Sequence, residues 1–238
     1  MSRRSFSGCQ GSFSRQWYAE ELRWNAKLQS ERLVKAFATV RREAFLGRGP
    51  WHILSPLVRG YTKTRDADPR HLNHNVLVAI DAHRSLNNGH PSFLASLIDQ
   101  LNVKEGETVY HVGCGTGYYS AIMAEMVGED GRVVAVEVDK ALARRARRNL
   151  KGYRQVEVIN ADGFAHNPGR VNAILVNAGV THLSHVWLEI LKVKGRLVKE
   201  ALVGGGAEKV RSLRMDEHKR NRNCWLHDRG YCLSRRSS

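Results

Sequence analysis

From residue 108 to residue 203 the sequence alternates short apolar runs with helical segments, and no other feature constrains the fold as strongly. The runs predicted as strands are residues 108–112, 132–138, 155–160, 171–177 and 195–203. The segments predicted as helices between them are residues 118–127, 139–150 and 182–191. Strands that are apolar on both faces and separated by helices form parallel sheets covered on both sides. The alternation therefore predicts an α/β fold with a doubly wound, mostly parallel sheet and right-handed crossovers.

The chain before this alternation has a different pattern. Residues 13–40 carry apolar side chains at three- and four-residue steps, which predicts two amphipathic helices with Ser30 capping the second. In residues 47–75, prolines, glycines and polar side chains break every period, so we expect an irregular segment, which suits a position over a ligand site. Ser92 is expected to cap a helix with an apolar side.

The end of the chain lacks both patterns. Residues 207–238 are rich in Arg, Lys, Asn and Ser and poor in Val, Ile and Phe, which predicts a disordered basic tail, with a partner-binding arm as the alternative. The sequence thus divides into an N-terminal helical and irregular extension at residues 1–92, a ligand-binding domain at residues 93–206, and this tail.

A glycine-rich loop follows the first predicted strand and precedes a helix. Gly113, Gly115 and Gly117 stand at alternate positions, where glycine permits a sharp turn and a close approach of backbone to a ligand. A dinucleotide-binding loop places its third glycine one position later, where Tyr118 stands, so a pyrophosphate ligand is disfavoured. The spacing suits a ligand without phosphates, with its amino-acid end and ribose across the loop.

Acidic side chains stand near the ends of the next two predicted strands. Glu137 can accept hydrogen bonds from both hydroxyls of a ribose, and Asp162 can accept one from an adenine amino group. Each acid has a simpler interpretation, because Glu137 can be a solvated side chain and Asp162 can form a turn with Gly163. Their order at successive strand ends favours a nucleoside-binding site.

Composition limits the classes of partner that we expect for this chain. The formal charge of +15 makes nucleic acid a candidate partner, but the basic residues are scattered and a solvated basic surface is the simpler interpretation. We find no apolar run that suggests a membrane span, and the four cysteines lack paired spacing, which favours the cytoplasm. His71 and His74 lack a nearby third ligand, so no metal is predicted.

Three segments resemble the protein-L-isoaspartate O-methyltransferase family, and the resemblance runs from about residue 30 to residue 203. Residues 33–45, LVKAFATVRREAF, resemble the family's N-terminal helix and its V-P-R-E-x-F signature, with Arg41 in place of the proline. The glycine loop, VEVD at residues 136–139 and ADG at residues 161–163 resemble its cofactor motifs in the same order. Residues 191–198, LKVKGRLV, are similar to the family's L-x-x-G-G-R-L-V.

The resemblance implies a seven-stranded Rossmann-like sheet, S-adenosylmethionine as methyl donor and a protein or peptide acceptor. By position it implies that the three loop glycines line the cofactor, that Glu137 holds its ribose and that Asp162 holds its adenine. The full set of residues predicted to bind the cofactor is His111, Gly113, Cys114, Gly115, Gly117, Tyr118, Glu137, Val138, Ala161, Asp162, Gly163 and Asn177. His111 stands where the family has an acid, so one contact to the methionine end is not carried over.

The acceptor end of the site departs further from the family. Where the family reads T-I-S-A-P-H-M, with a serine near the transferred methyl, this chain reads NNGHPSF at residues 87–93. Amides and hydroxyls can donate to a carboxylate, so Asn87, Asn88 and Ser92 are the predicted acceptor-positioning residues. The alternative for the same residues is a turn followed by a helix cap.

The sequence supports one main function and two rivals. The main prediction is a monomeric, cytoplasmic O-methyltransferase acting on a protein or peptide carboxylate, of the isoaspartate type or a related one. An RNA methyltransferase is the first rival because of the basic charge. A non-catalytic cofactor-binding protein of the same fold is the second, because of His111 and the missing serine.

Overall fold

The central feature of the molecule is one large sheet. The computed structural model describes residues 6–54, 60–180, 182–201, 209–214, 225–227 and 232–233. The strands of this sheet are β5 (Thr108–Val112), β6 (Arg132–Glu137), β7 (Val156–Asn160), β8 (Val171–Val176), β9 (Leu191–Ala201), β10 (Lys209–Arg214), β11 (Trp225–His227) and β12 (Cys232–Leu233). Their order in the sheet is β12-β11-β10-β9-β8-β5-β6-β7, and the five strands from β5 to β9 pair in parallel.

Helices cover both faces of the parallel strands, as the alternation predicts. These helices are α4 (Pro91–Leu101), α5 (Tyr118–Val127), α6 (Lys140–Asn149) and α7 (His185–Ile190). The α/β fold and the parallel sheet are confirmed, and most predicted ends agree with the structure to within a few residues. β6 is buried from Val133 to Glu137, which explains its nearly continuous apolar sequence.

The strand count differs from the prediction. Within the described residues the sheet has eight strands rather than seven, because β10, β11 and β12 extend it in antiparallel pairs. All three strands fall in residues 207–238, where composition predicts a disordered tail, and that prediction does not hold for them. Six residues of β10 pair with β9. Backbone hydrogen bonds to an existing strand edge suit a basic sequence that lacks an apolar side-chain signal.

The N-terminal helices α1 (Phe6–Ala26) and α2 (Glu31–Thr39) pack against the same core. The Ser30 side chain accepts a hydrogen bond from the backbone N–H of Leu33 at 3.2 Å, so the predicted cap is confirmed. One cluster of buried side chains joins Leu22 and Phe37 of these helices to Ile98 of α4 and Ile122 of α5. The extension therefore contributes directly to the core of the sheet.

Residues 47–75, predicted as irregular, contain two strands of a small antiparallel sheet. The four strands of this sheet are β1 (His52–Leu54), β2 (Tyr61–Lys63), β3 (Leu77–Asp81) and β4 (Leu86–Asn87). Their order in the sheet is β2-β1-β3-β4. The short helix α3 (Glu43–Leu46) and a 3-10 turn (Pro69–Leu72) flank this small sheet. β1, β2 and β4 are two or three residues long, too short for a period to be read in sequence.

A buried arginine joins the N-terminal helices to this small sheet. The guanidinium of Arg42 is fully buried and donates to the carbonyl oxygens of Leu72 at 2.9 Å, His74 at 3.2 Å and Val76 at 2.9 Å. It also lies 5.8 Å from the ring of Tyr18 and 5.9 Å from the ring of Tyr118. Arg42 therefore fixes the chain that leads into β3.

Among the residues that the structure describes, no helix is long and apolar enough to cross a membrane.

Candidate cofactor and acceptor site

A cavity lies at the carboxyl ends of β5, β6 and β8. It has a volume of about 860 Å³. Chain connections after β5 and β8 leave on opposite sides, so this is the switch point where ligands bind in doubly wound sheets. The hairpin of β3 and β4 covers it, with Leu77, Ile80 and Leu86 in the cavity wall.

The glycine loop forms one wall of this cavity. The backbone N–H groups of Gly113 and Cys114 both donate to the carbonyl oxygen of Val136, at 2.9 and 3.0 Å, which turns the chain sharply after β5. Gly113 has φ +78°, and a Cβ there would lie 2.6 Å from the carbonyl oxygen of Asn177. No other residue fits without moving β8, so the first glycine is required by the turn and by the close approach.

Glu137 is the principal acidic group of the cavity. Its carboxylate accepts from the N–H of Gly115 at 2.8 Å and from the N–H of Asp139 at 3.0 Å, and the side chain is only 8% exposed. The Asn160 amide donates to the Glu137 carbonyl oxygen at 2.8 Å and so holds the strand tip. A carboxylate has about four acceptor positions, so these two bonds leave capacity for two hydroxyl groups, as a ribose requires.

Asp162 lies on the same side of the sheet, in a more open position. One carboxylate oxygen accepts from the N–H of Phe164 at 2.9 Å, which is the turn contact of the simpler interpretation. Asp162 also lines the cavity, and so does Val138, whose side chain is 72% exposed. An exposed apolar side chain beside an exposed carboxylate suits a planar base with a polar edge. The turn and the adenine contact are therefore compatible.

Several predicted residues meet at the cavity and others do not reach it. Those in the wall are Gly113, Cys114, Gly115, Glu137, Val138, Asp162, Gly163, Asn177, Asn87 and Asn88. The predicted residues outside the wall are His111, Gly117, Tyr118, Ala161 and Ser92, and their contacts elsewhere in the structure could not be inferred from their sequence positions. Gly117 packs against Leu150, and Tyr118 lies in an aromatic cluster with Phe37 and Phe45.

Ala161 packs with Phe164 against the core cluster on the other face of the sheet. Gly163 does line the cavity, but it also has a packing role. A Cβ on Gly163 would lie 2.6 Å from a methyl carbon of Val136 and 2.8 Å from one of Val112. The ADG segment at residues 161–163 therefore packs against the strands in addition to lining the cavity.

His111 lies inside the core. It is fully buried, and its Nδ1 lies 2.8 Å from the hydroxyl oxygen of Ser120 on α5, so the side chain faces away from the cavity. A strand residue alternates in direction with its neighbours, and His111 shares the face of Val109. The contact to the methionine end that the sequence left open is therefore not made by this side chain.

The burial of His111 predicts acid sensitivity. Burial lowers its pKa to about 3, whereas an unfolded histidine titrates near ~6.5. Between these values the unfolded chain binds the proton and the folded chain does not, so stability is complete above pH ~6.5 and falls with acidification. Between pH 7 and pH 5 the free energy of unfolding of the wild type should fall by about 2 kcal/mol more than that of His111→Gln, because the variant lacks the buried imidazole. Urea unfolding at both pH values measures this, with the exposed His83→Gln as control. Equal pH slopes for wild type and His111→Gln would contradict the assignment.

Asn88 is a buried donor in the cavity wall. Its backbone N–H donates to the carbonyl oxygen of Val78 at 2.9 Å, which ties the turn after β4 to β3. The side chain is 7% exposed, and its Nδ2 has no hydrogen-bond partner among the described residues. Asn87 differs, because its Oδ1 accepts from the N–H of Gly89 at 2.9 Å and so serves the turn. A buried amide without an acceptor is costly unless a ligand supplies one.

Ser92 does not cap α4 as predicted. Pro91 takes the first helical position, which makes His90 the N-cap residue. The Ser92 side chain instead contacts Asn75 and His90, and of these three residues His90 lines the cavity. Sequence reasoning missed His90 and the hairpin residues of β3, although the apolar run LVAID at residues 77–81 was a strand signal.

An ion pair joins the hairpin to the sheet. Nη1 of Arg84, in the turn between β3 and β4, lies 2.8 Å from a carboxylate oxygen of Asp139. Asp139 also caps α6 by accepting from Ala141 and Leu142, and these backbone hydrogen bonds together with Arg84 lower its pKa. The hairpin is thereby held across the cavity next to Glu137.

Comparisons with known proteins agree on one family. A family model described as protein-L-isoaspartate(D-aspartate) O-methyltransferase matches residues 14–217. A protein-L-isoaspartate O-methyltransferase 2 of Archaeoglobus fulgidus is 31% identical over 191 residues, which are 77% of this chain and 76% of that protein. A protein-L-isoaspartate O-methyltransferase of Methanopyrus kandleri is 32% identical over 193 residues, covering 78% of this chain and 75% of that protein.

Solved structures have the same fold. A protein-L-isoaspartate O-methyltransferase superposes with a TM-score of 0.65 at 22% identity, covering 92% of this chain and 64% of that one. A Plasmodium falciparum protein, described as a candidate enzyme of the same kind in complex with S-adenosyl-L-homocysteine, gives 0.67 at 16% identity, covering 94% and 95%. At these identities the likeness concerns the fold.

Proposed function

The chain belongs to the protein-L-isoaspartate(D-aspartate) O-methyltransferase family, and we propose that it methylates an isoaspartyl-type carboxylate of a protein or peptide, with S-adenosylmethionine as the donor. It is an S-adenosylmethionine-dependent methyltransferase. The observation that carries the acceptor class is the buried Asn88 amide, which has no acceptor among the described residues and lies in the same cavity as Glu137. A carboxylate offers only acceptors, which complements such a donor.

The cavity fits the cofactor. Glu137 would hold the ribose, Asp162 and Val138 would hold the adenine, and the backbone of Gly113 and Gly115 would lie along the remainder. When bound, the cofactor supplies an activated methyl group on a sulfonium. The fit rests on the spare acceptor capacity of Glu137 and on the space left by glycines at the turn.

Methylation of a carboxylate requires no acid–base catalysis from the protein. A carboxylate with a pKa of ~4 is already ionised at neutral pH, so it would need no deprotonation before it accepts the methyl group that the bound cofactor would supply. No general base is required. The work of the protein is to exclude water and to align acceptor and donor, and such alignment can supply much of the rate enhancement. Asn88, which lines the cavity, is suited to hold the acceptor.

Asn88→Ala should lower kcat/KM for an isoaspartyl peptide about 10- to 100-fold, since a hydrogen bond to a charged group contributes about 1.5–3 kcal/mol. The affinity for S-adenosylhomocysteine should change less than about threefold, because Asn88 faces the acceptor. Asn88→Asp should be more severe, because it places a second negative charge beside the acceptor.

The experiment combines methyl-transfer kinetics with calorimetric titration of S-adenosylhomocysteine, and Asn25→Ala on the exposed side of α1 is the control. Equal losses of turnover and of cofactor affinity in Asn88→Ala would contradict an acceptor role.

We further infer a monomer in the cytoplasm, with residues 93–206 as the cofactor-binding domain. The unpaired spacing of the four cysteines supports a reducing compartment. Light scattering of the purified chain tests the monomer, and a mass twice that of the chain would contradict it.

A further inference from the structure

One helix face concentrates positive charge beside the cavity. Residues 140–154 contain seven basic side chains and no acidic one. The helix α6 begins this segment, and Leu142 in its first turn lies in the cavity wall. Four exposed cations of α6 stand at positions i, i+4, i+7 and i+8, which places them on one side of the helix. We call this side the basic face, and its residues are Lys140, Arg144, Arg147 and Arg148.

The acids nearest in sequence do not neutralise the basic face. Asp139, directly before α6, is paired with Arg84 at 2.8 Å. Glu157, on the neighbouring strand β7, is paired with Arg132 at 2.6 Å. Among the described residues, none of the four cations of the basic face forms an ion pair. Their charges therefore remain available to an anionic partner.

The stability of α6 does not account for this arrangement. Like charges three or four positions apart destabilise a helix, as Lys140 does with Arg144 and Arg144 with Arg148. The helix dipole favours Arg147 and Arg148 in the last turn, but it disfavours Lys140 in the first turn, which has no acidic side chain. Burial and the charge of Arg148 lower the pKa of Arg145 on the same helix.

An acidic protein segment fits the basic face better than a nucleic acid does. The family to which the chain belongs acts on proteins. Sites for single-stranded nucleic acid combine basic side chains with exposed aromatic rings on which bases stack. In the described part of the chain, the large aromatic side chains that are exposed are Phe13, Trp17 and Trp24, and all three lie on α1. The basic face of α6 thus offers cations without a stacking platform.

The dimensions of α6 set where the acidic residues of a partner would lie. An extended peptide that leaves the cavity has to cross a helix about 10 Å wide, which takes about three residues at ~3.3 Å each. The basic face then extends about 12 Å from Lys140 to Arg148, since the helix rises 1.5 Å per residue, and this length takes about four more residues.

We propose that the basic face of α6 binds an acidic segment of the protein acceptor, so that the chain prefers carboxylates with Asp or Glu about three to seven residues away. This inference rests on the proposed function and adds the class of acceptor sequence to it. An exposed ion pair changes affinity by about 1.5- to 5-fold, so three such pairs give a preference of about 10-fold.

The first test compares isoaspartyl peptides that differ only in having Glu or Gln at the third, fifth and seventh positions on both sides of the isoaspartyl residue. We expect kcat/KM to be about 10-fold higher for the Glu peptide at ~50 mM salt, and most of this preference to vanish at ~500 mM. Arg144→Gln/Arg148→Gln should reduce the preference to about threefold and leave kcat/KM for the Gln peptide within about twofold. Equal kcat/KM values of the unmodified chain for the two peptides at low salt would overturn the inference.

Two further variants separate the position of the charge from its total. Arg65→Gln/Lys104→Gln removes two exposed cations outside α6 and should keep the preference for the Glu peptide. Arg144→Glu/Arg148→Glu should instead prefer a peptide with Lys at the same positions. A preference that falls equally in the variants on and off α6 would show that net charge, and not the basic face, selects the acceptor.

Direct binding distinguishes this inference from the proposed function. A fluorescent Glu peptide without an isoaspartyl residue should bind the unmodified chain about fivefold more tightly than Arg144→Gln/Arg148→Gln, as measured by anisotropy at low salt. If it does so while no isoaspartyl peptide is methylated, the proposed acceptor is wrong and the binding surface stands. If a single-stranded RNA of equal charge binds more tightly than the Glu peptide and the same variant loses that binding, the partner is a nucleic acid and the inference is overturned.

Discussion

Glu137→Ala is expected to weaken the binding of S-adenosylhomocysteine at least about 100-fold. The variant removes the carboxylate that would accept two ribose hydroxyls, and each hydrogen bond to a charged group contributes about 1.5–3 kcal/mol. It also frees the N–H groups of Gly115 and Asp139, which the carboxylate now holds at 2.8 and 3.0 Å. Calorimetric titration measures the loss.

Two variants control this experiment. Glu137→Gln keeps the size of the side chain and one acceptor oxygen, so an intermediate affinity is expected. Glu129→Ala removes an exposed carboxylate in the turn before β6 and should bind like the unmodified chain. A Glu137→Ala chain that unfolds like the unmodified one in urea, yet binds with unchanged affinity, would exclude Glu137 from the cofactor site.

Arg42→Ala is expected to reduce the free energy of unfolding by about 3–5 kcal/mol, since three carbonyl oxygens lose their donor and the fully buried side chain leaves a cavity. These are the carbonyl oxygens of Leu72, His74 and Val76. Contacts of the guanidinium with the rings of Tyr18 and Tyr118 are lost as well. Urea denaturation monitored by fluorescence measures the change.

The neighbouring arginine is a matched control. Arg41 is exposed and makes one ion pair, with Glu43 at 2.9 Å, so Arg41→Ala should cost less than about 1 kcal/mol. Arg42→Met, which restores most of the volume but not the donors, should remain clearly destabilised. Similar losses for Arg41→Ala and Arg42→Ala would show that the buried guanidinium does not join the small sheet to the core.

The sequence predicts the parallel part of the sheet well for a physical reason. Strands buried on both faces must be apolar throughout, and the helices between them begin at recognisable capping residues such as Asp139. The glycine loop can be recognised equally well, because at Gly113 a positive φ and the close approach of the Asn177 backbone exclude every other residue type. Both signals are local in sequence.

The features that sequence reasoning missed depend on distant contacts. β10 is a strand because β9 offers an edge, and its own residues carry no alternating pattern. His111 follows the strand alternation, but only the packed α5 shows that it meets Ser120. Serine is a common helix cap, but here Pro91 is the first residue of α4. The N–H of Ser92 donates instead to Oδ1 of Asn75, which is distant in the chain.

The central claim is that the chain transfers a methyl group to a peptide carboxylate. The most direct test incubates the full chain with methyl-labelled S-adenosylmethionine and two peptides that differ only in an isoaspartyl or an aspartyl residue. Label should enter the isoaspartyl peptide as an ester that alkali releases as methanol, and Glu137→Ala should abolish it. Label that resists alkali, or that enters neither peptide although S-adenosylhomocysteine binds, would contradict the account.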